Sequence, residues 1–112
     1  MTRIEATSLY GTLSLLILKT LEDAPLHGLD VAKRIRGRTE GRLEIEEGAL
    51  YPALHRLEKA ELVAAEWGVS EEGRRAKFYR LTGKGRRRLE RERSEWIEHT
   101  RAVSRVLEVT WP

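Results

Sequence analysis

Glu46-Glu-Gly-Ala-Leu-Tyr-Pro-Ala-Leu-His-Arg-Leu-Glu58 carries two patterns at once. Leu50, Leu54 and Leu57 recur at i, i+4 and i+7, which places them on one face of a helix and assigns that face to a core. Pro52 limits where the helix begins, because only first-turn N–H groups go unpaired and proline has none; a start close to Gly48 or Ala49 satisfies it. At 100° per residue the opposite face carries Tyr51, Pro52, His55, Arg56 and Lys59, polar, basic and aromatic, with Glu58 the only acid, at its edge.

Downstream the period changes from helical to alternating. Leu62–Trp67 and Ala76–Leu81 read as two short strands joined by the loop Gly68–Arg75, too long for a tight two-residue turn. Thr82 is a good N-cap for a last helix, although Gly83 and Gly85 weaken its first turn. Along it Leu89, Trp96, Thr100, Val103 and Leu107 form a heptad-like seam, with Ile97 beside it, which predicts pairing with a second copy.

Upstream, Leu9, Leu13, Leu16, Ile17 and Leu21 mark an amphipathic helix from about Ser8 to Glu22. Pro25 ends it. His27-Gly28 opens a short second helix with Leu29, Ala32 and Ile35, and Gly37 and Gly41 bracket a polar loop. The predicted fold is mainly α with a two-stranded wing: a winged helix-turn-helix over 1–82 and a dimerisation helix over 83–112, forming one compact unit. Such a domain offers its third helix and its hairpin to DNA.

Charge points the same way. The chain of 112 residues has a formal charge of +3, but Gly73–Arg93 alone is +8, from ten basic and two acidic residues, and the remainder is −5. A basic stripe on an acidic body is the footprint of a polyanion binder. Ion pairs at i,i+4, such as Arg86–Glu90 and Arg88–Glu92, would account for part of it, but not for Arg74, Arg75 and Lys77 beside Gly73. Arg86, Arg87 and Arg88 point three ways on a helix, so at most two could face a nucleic acid.

Other classes find little support. With no cysteine there is no disulfide framework and no thiolate site. Leu13–Leu18 is far too short to span a bilayer and Met1–Ala6 lacks a signal-peptide layout, so the expectation is a cytoplasmic protein with no membrane partner. His27, His55 and His99 fall on three helices without metal-ligand spacing. No serine has a nucleophile-elbow context and no phosphate loop occurs. Glu44, Glu46 and Glu47 suit the N-terminus of the third helix better than acid–base chemistry. The expectation is a binding protein, with no enzyme activity, metal or cofactor.

Several stretches together resemble one family of bacterial transcription regulators, the PadR family: Gly11-Thr-Leu-Ser-Leu-Leu-Ile-Leu18, Pro25-Leu-His-Gly28, the Glu46–Glu58 block, Glu66-Trp-Gly-Val-Ser70, Gly73-Arg-Arg-Ala-Lys-Phe-Tyr-Arg-Leu-Thr82 and Trp96. The resemblance runs from Leu9 to about Trp96. It is to the short type with a single C-terminal helix, and within that type to a subgroup described from acidobacteria. It implies a homodimeric, sequence-specific DNA-binding repressor meeting a duplex operator of two half-sites. By motif, Tyr51, Pro52, His55, Arg56 and Lys59 would face the major groove, and Arg74, Arg75 and Lys77 would reach phosphates or the minor groove. Leu89, Trp96, Ile97, Thr100, Val103 and Leu107 would form the dimer interface. In some short members a tryptophan of the last helix lines a pocket for flat apolar molecules, so the resemblance marks Trp96 for an aromatic small-molecule effector. The alternative is Trp96 packed against the partner's first helix with no cavity.

Three positions depart from the pattern. Leu29 replaces the tyrosine that usually follows His-Gly, and as an apolar residue should keep the core packed. Ala49 replaces a hydroxyl residue able to reach a phosphate. Glu61 replaces the glycine that usually closes the third helix; a left-handed cap without glycine costs about 1 kcal/mol, unless the helix ends differently. Two other readings compete: a winged helix that uses its basic face for an acidic protein, and a binder of RNA or single strands, which the scarcity of aromatics in the basic stripe argues against.

Overall fold

The structure is a computed structural model describing residues 11–110. Helix α1 (Leu13–Thr20) leads into the short strand β1 (Leu26–His27), then α2 (Gly28–Arg38) and α3 (Glu47–Lys59). Strands β2 (Val63–Val69) and β3 (Arg75–Leu81) form the hairpin, and α4 (Gly83–Leu107) closes the order. The 25 residues of α4 make a rod about 37 Å long. Ser8 and Leu9, which the periodicity assigned to the first helix, lie outside the described residues, as does Trp111.

The core follows the leucine spacing. Ile17 and Leu18 of α1, Val31 and Ile35 of α2, Leu50, Leu54 and Leu57 of α3, and Val63 and Tyr79 of the sheet meet in one cluster. Leu89 of α4 joins it and is fully buried. This corrects the expected seam at one point: Leu89 is occupied by its own domain and is not free to face a second chain.

β2 and β3 form the expected two-stranded wing, and β1 adds a third antiparallel strand to give the order β1-β3-β2. Leu26 pairs with Tyr79 and His27 with Phe78. A two-residue strand has no alternation to display, so only tertiary pairing reveals it. Leu29, expected in the core, is 40% exposed. Gly37 lies inside α2 rather than at a loop boundary, and the hairpin loop shrinks to 70–74 because Gly68, Val69 and Arg75 join the strands.

α3 begins at Glu47, one residue ahead of the expected start, with the Ala49 and Leu50 amides on the Glu46 carbonyl. Pro52 is therefore its sixth residue, and the exposed Gly48 carbonyl lacks its usual i+4 donor. Its C-terminus does take the left-handed form, at Glu61 with φ 62°. The Glu61 amide donates to the Glu58 carbonyl and the Leu62 amide to the Leu57 carbonyl, both at 2.9 Å, a complete Schellman closure. α2 closes likewise through Glu40, and α4 through Glu108 with the Val109 amide on the Ser104 carbonyl at 3.0 Å.

The corner after α3 is fastened to the start of α4. The Thr82 hydroxyl accepts from the Gly85 amide at 2.9 Å and lies within donating reach of the Glu61 carbonyl (2.8 Å) and the Leu62 carbonyl (3.0 Å). Lys84 Nζ donates to the Ala60 carbonyl at 2.9 Å. The carbonyls of the corner just past α3 are thus met by the N-cap and first turn of α4.

Candidate nucleic-acid interface

Burying the leucine face of α3 turns the rest of the helix outward. Tyr51, Pro52, His55, Arg56 and Lys59 are all exposed, on the side predicted from their spacing. The Tyr51 ring lies against the first residue of α2: a Cβ on Gly28 would stand 2.9 Å from Tyr51 Cε1, so the ring would have to shift to admit any larger residue. Partial burial, with Glu47 and Tyr79 nearby, pushes the Tyr51 phenol above its ordinary value.

Register places Val63, Ala65, Trp67 and Val69 opposite Leu81, Tyr79, Lys77 and Arg75. Alternation along the strands puts this set on one face, which is core at its base and projects past the core toward the hairpin tip. The loop holds its shape through Ser70: its amide donates to the Arg74 carbonyl at 2.7 Å and its hydroxyl accepts from the Arg74 amide at 3.2 Å. Gly73 supplies the positive φ of 77°.

Two of the three expected wing cations are already engaged. Arg75 stacks over the Trp67 ring, its guanidinium carbon 4.4 Å from the centroid. Lys77 Nζ donates to Glu58 Oε1 at 2.9 Å and lies 5.6 Å from the Tyr79 ring centroid. The Glu58 hydrogen bond raises the Lys77 ammonium above the ordinary lysine value. Arg74 is exposed at the loop. Between α2, α3 and the hairpin runs a groove of about 670 Å³ that brings Tyr51 together with Arg74, Arg75 and Lys77.

Lys33 of α2, Trp67 and Tyr79 line the same groove, and the sequence reading passed over all three. Strand parity could have found the last two, since Trp67 faces Lys77 across the hairpin and Tyr79 follows two residues later. Lys33 carries no local signal; it reaches the groove only because α2 packs beside the hairpin. Arg86 and Arg87 are exposed on α4 and take no part in this groove, while Arg88 pairs with Glu92 at 3.8 Å.

On α4, Trp96, Ile97, Val103 and Leu107 are 39–65% exposed in the single chain, and Val106 is more so. Trp96, with Leu15 of α1 and Glu92, Glu95 and His99 of α4, borders an open groove of about 430 Å³. Among the described residues, no helix is long and apolar enough to cross a membrane, and no group of three or more His, Cys, Asp or Glu residues could hold a metal ion.

The sequence pattern of the transcriptional regulator PadR-like family matches residues 17–91. A protein of uncharacterised function from Lysinibacillus sphaericus is 31% identical over 98 residues, covering 88% of this chain and 90% of its own. The structure of a transcriptional regulator from Clostridium thermocellum superposes with a TM-score of 0.81 at 26% identity, covering 89% of this chain and 97% of that one. A PadR family transcriptional regulator from Eggerthella lenta gives 0.79 at 31% identity, covering 93% and 88%.

Proposed function

This chain belongs to the PadR-like family of transcriptional regulators and is a regulator rather than an enzyme, and from that premise we propose that it acts as a homodimeric, sequence-specific repressor on duplex DNA. The supporting observation is the shared groove. The exposed face of α3 and the basic hairpin meet at Tyr51, so one side of the molecule presents both elements at once. α3 enters the major groove, where Arg56 or Lys59 reads guanine O6 and N7, while Tyr51 and His55 touch phosphate. Arg74 and Arg75 at the hairpin supply sequence-blind contacts that position the helix. The acting form is cytoplasmic, where a bacterial chromosome is found.

Pairing through Trp96, Ile97, Thr100, Val103 and Leu107 would cover the exposed apolar residues of α4 and present two copies of α3 to half-sites about 34–36 Å apart. Trp96 then stands where an apolar aromatic effector could bind, and ligand control enters the proposal there.

Binding to the gene's own upstream region, to random duplex and to single strands at two salt concentrations tests the reading. Selective, salt-sensitive binding to the upstream duplex is the expected result. Absence of duplex binding with retention of an acidic protein partner would replace it with the protein-interaction reading.

A further inference from the structure

On the DNA-binding reading above, we propose that Glu58 is a positioning residue that withholds the Lys77 ammonium from the DNA backbone and holds the wing at a set distance from the recognition helix. Glu58 belongs to α3 and Lys77 to β3, nineteen residues apart in sequence, and their side chains meet at 2.9 Å while each stays about one third exposed. Lys77 lines the groove between helix and hairpin, and Glu58 meets it there from α3.

A carboxylate at the edge of a polyanion-facing surface is out of place unless it has a partner. Alone it would repel phosphate; joined to Lys77 it makes a pair of zero net charge that a phosphate gains little by approaching. Lys77 is held on a second side, with the Tyr79 ring 5.6 Å from its Nζ. The exposed Arg74 has no such restraint, so of the two basic residues one is presented to the backbone and the other is kept back. The consequence is a brake on sequence-blind affinity, because each phosphate contact adds about 0.9 to the salt slope.

The test measures the salt dependence of binding of the full chain to a fixed duplex, for wild type, Glu58→Gln, Lys77→Met, the double variant, and Arg74→Ala as reference, each checked for an unchanged thermal melt. Glu58→Gln should free Lys77, tighten binding at low salt and steepen the slope by about 0.9, an extra loss of about 3.5-fold between 50 and 200 mM salt. Lys77→Met alone leaves the Glu58 carboxylate unpaired and should weaken binding, whereas the double variant, which has neither charge, should return to the wild-type slope. Three results would each overturn the proposal: an unchanged slope in Glu58→Gln, a double variant that still binds more steeply than wild type, or a double variant whose slope is flattened as much as by Arg74→Ala, which would mean that Lys77 already contacts phosphate in wild type. If wild type itself binds no duplex, the DNA-binding reading fails and this inference falls with it, an outcome visible before any variant is made.

Discussion

Gly85 meets the Leu62 carbonyl so closely that a Cβ on it would stand 1.9 Å from that oxygen. The opposing atom is backbone at the corner where α3 gives way to β2, and it cannot swing aside as a side-chain tip would. Gly85→Ala should therefore cost about 3 kcal/mol or more, with the corner forced open. Gly83, two residues earlier, has only the Arg87 guanidinium at 3.6 Å from its Cβ position. Gly83→Ala should be neutral or stabilise by up to about 0.5–1 kcal/mol. Urea midpoints of the two variants check the contrast, and similar midpoints would show that the close approach is not sustained.

The left-handed glutamate at 61 makes a second stability prediction. A side chain at this φ costs about 1–2 kcal/mol, and the carboxylate also sits at the negative end of the α3 dipole. Glu61→Gly should raise the melting temperature, the equivalent of about 1 kcal/mol, without altering the Schellman bonds. Glu61→Val should lower it, since a β-branched residue tolerates this region worst. A glycine variant no more stable than wild type would mean that Glu61 has a compensating contact in solution.

How far such features were legible depended on whether their cause was local. Leu50, Leu54 and Leu57 announce a buried face by spacing alone, and Tyr51, His55, Arg56 and Lys59 follow as its opposite. The left-handed ending at Glu61 was visible as a conflict between residue type and position. β1 was not visible, because Leu26 and His27 become a strand only once β3 lies beside them. Leu89 was misread for the same reason: a heptad position looks alike whether the chain's own core or a second chain will cover it. Lys77 looked like a free cation because its partner Glu58 is distant in sequence.

Helix and hairpin variants should fail in different ways. Arg56→Ala or Lys59→Ala should cost about 1–3 kcal/mol on the operator and relax the choice at one base pair. Arg74→Ala should weaken all duplexes alike and flatten the salt slope by about 0.9. Competition with single-base operator variants at two salt concentrations separates these outcomes. A hairpin variant that lost base preference while the helix variants lost only general affinity would reverse the roles.

The Trp67–Arg75 stack should behave as a unit on DNA. A guanidinium held 4.4 Å above an indole gives up part of its side-chain freedom before binding, so less remains to be lost in the complex. Trp67→Ala should weaken duplex binding in wild type and have little further effect in an Arg75→Ala background, a coupling of about 0.5–1 kcal/mol. Additive effects would show that the two residues act separately.

Dimerisation through α4 is best tested by point substitution. Cutting the chain after Arg88 would remove Leu89, which is fully buried in the core cluster, and an insoluble product would reveal nothing about pairing. Ile97 and Val103 are about 40% exposed in the single chain and belong to the proposed seam. Placing Glu at either should bury a charge against a symmetry mate if the seam pairs, at a cost of several kcal/mol for the dimer and almost none for the fold. Light scattering should then report a monomer with an unchanged helical spectrum, and operator binding should fall while contact with a single half-site persists. As a control, reversing the charge of the exposed Arg101, which is not a seam residue, by Arg101→Glu should leave the dimer intact. Dimers undisturbed by Ile97→Glu and Val103→Glu together would place the two-fold axis on another face of the molecule.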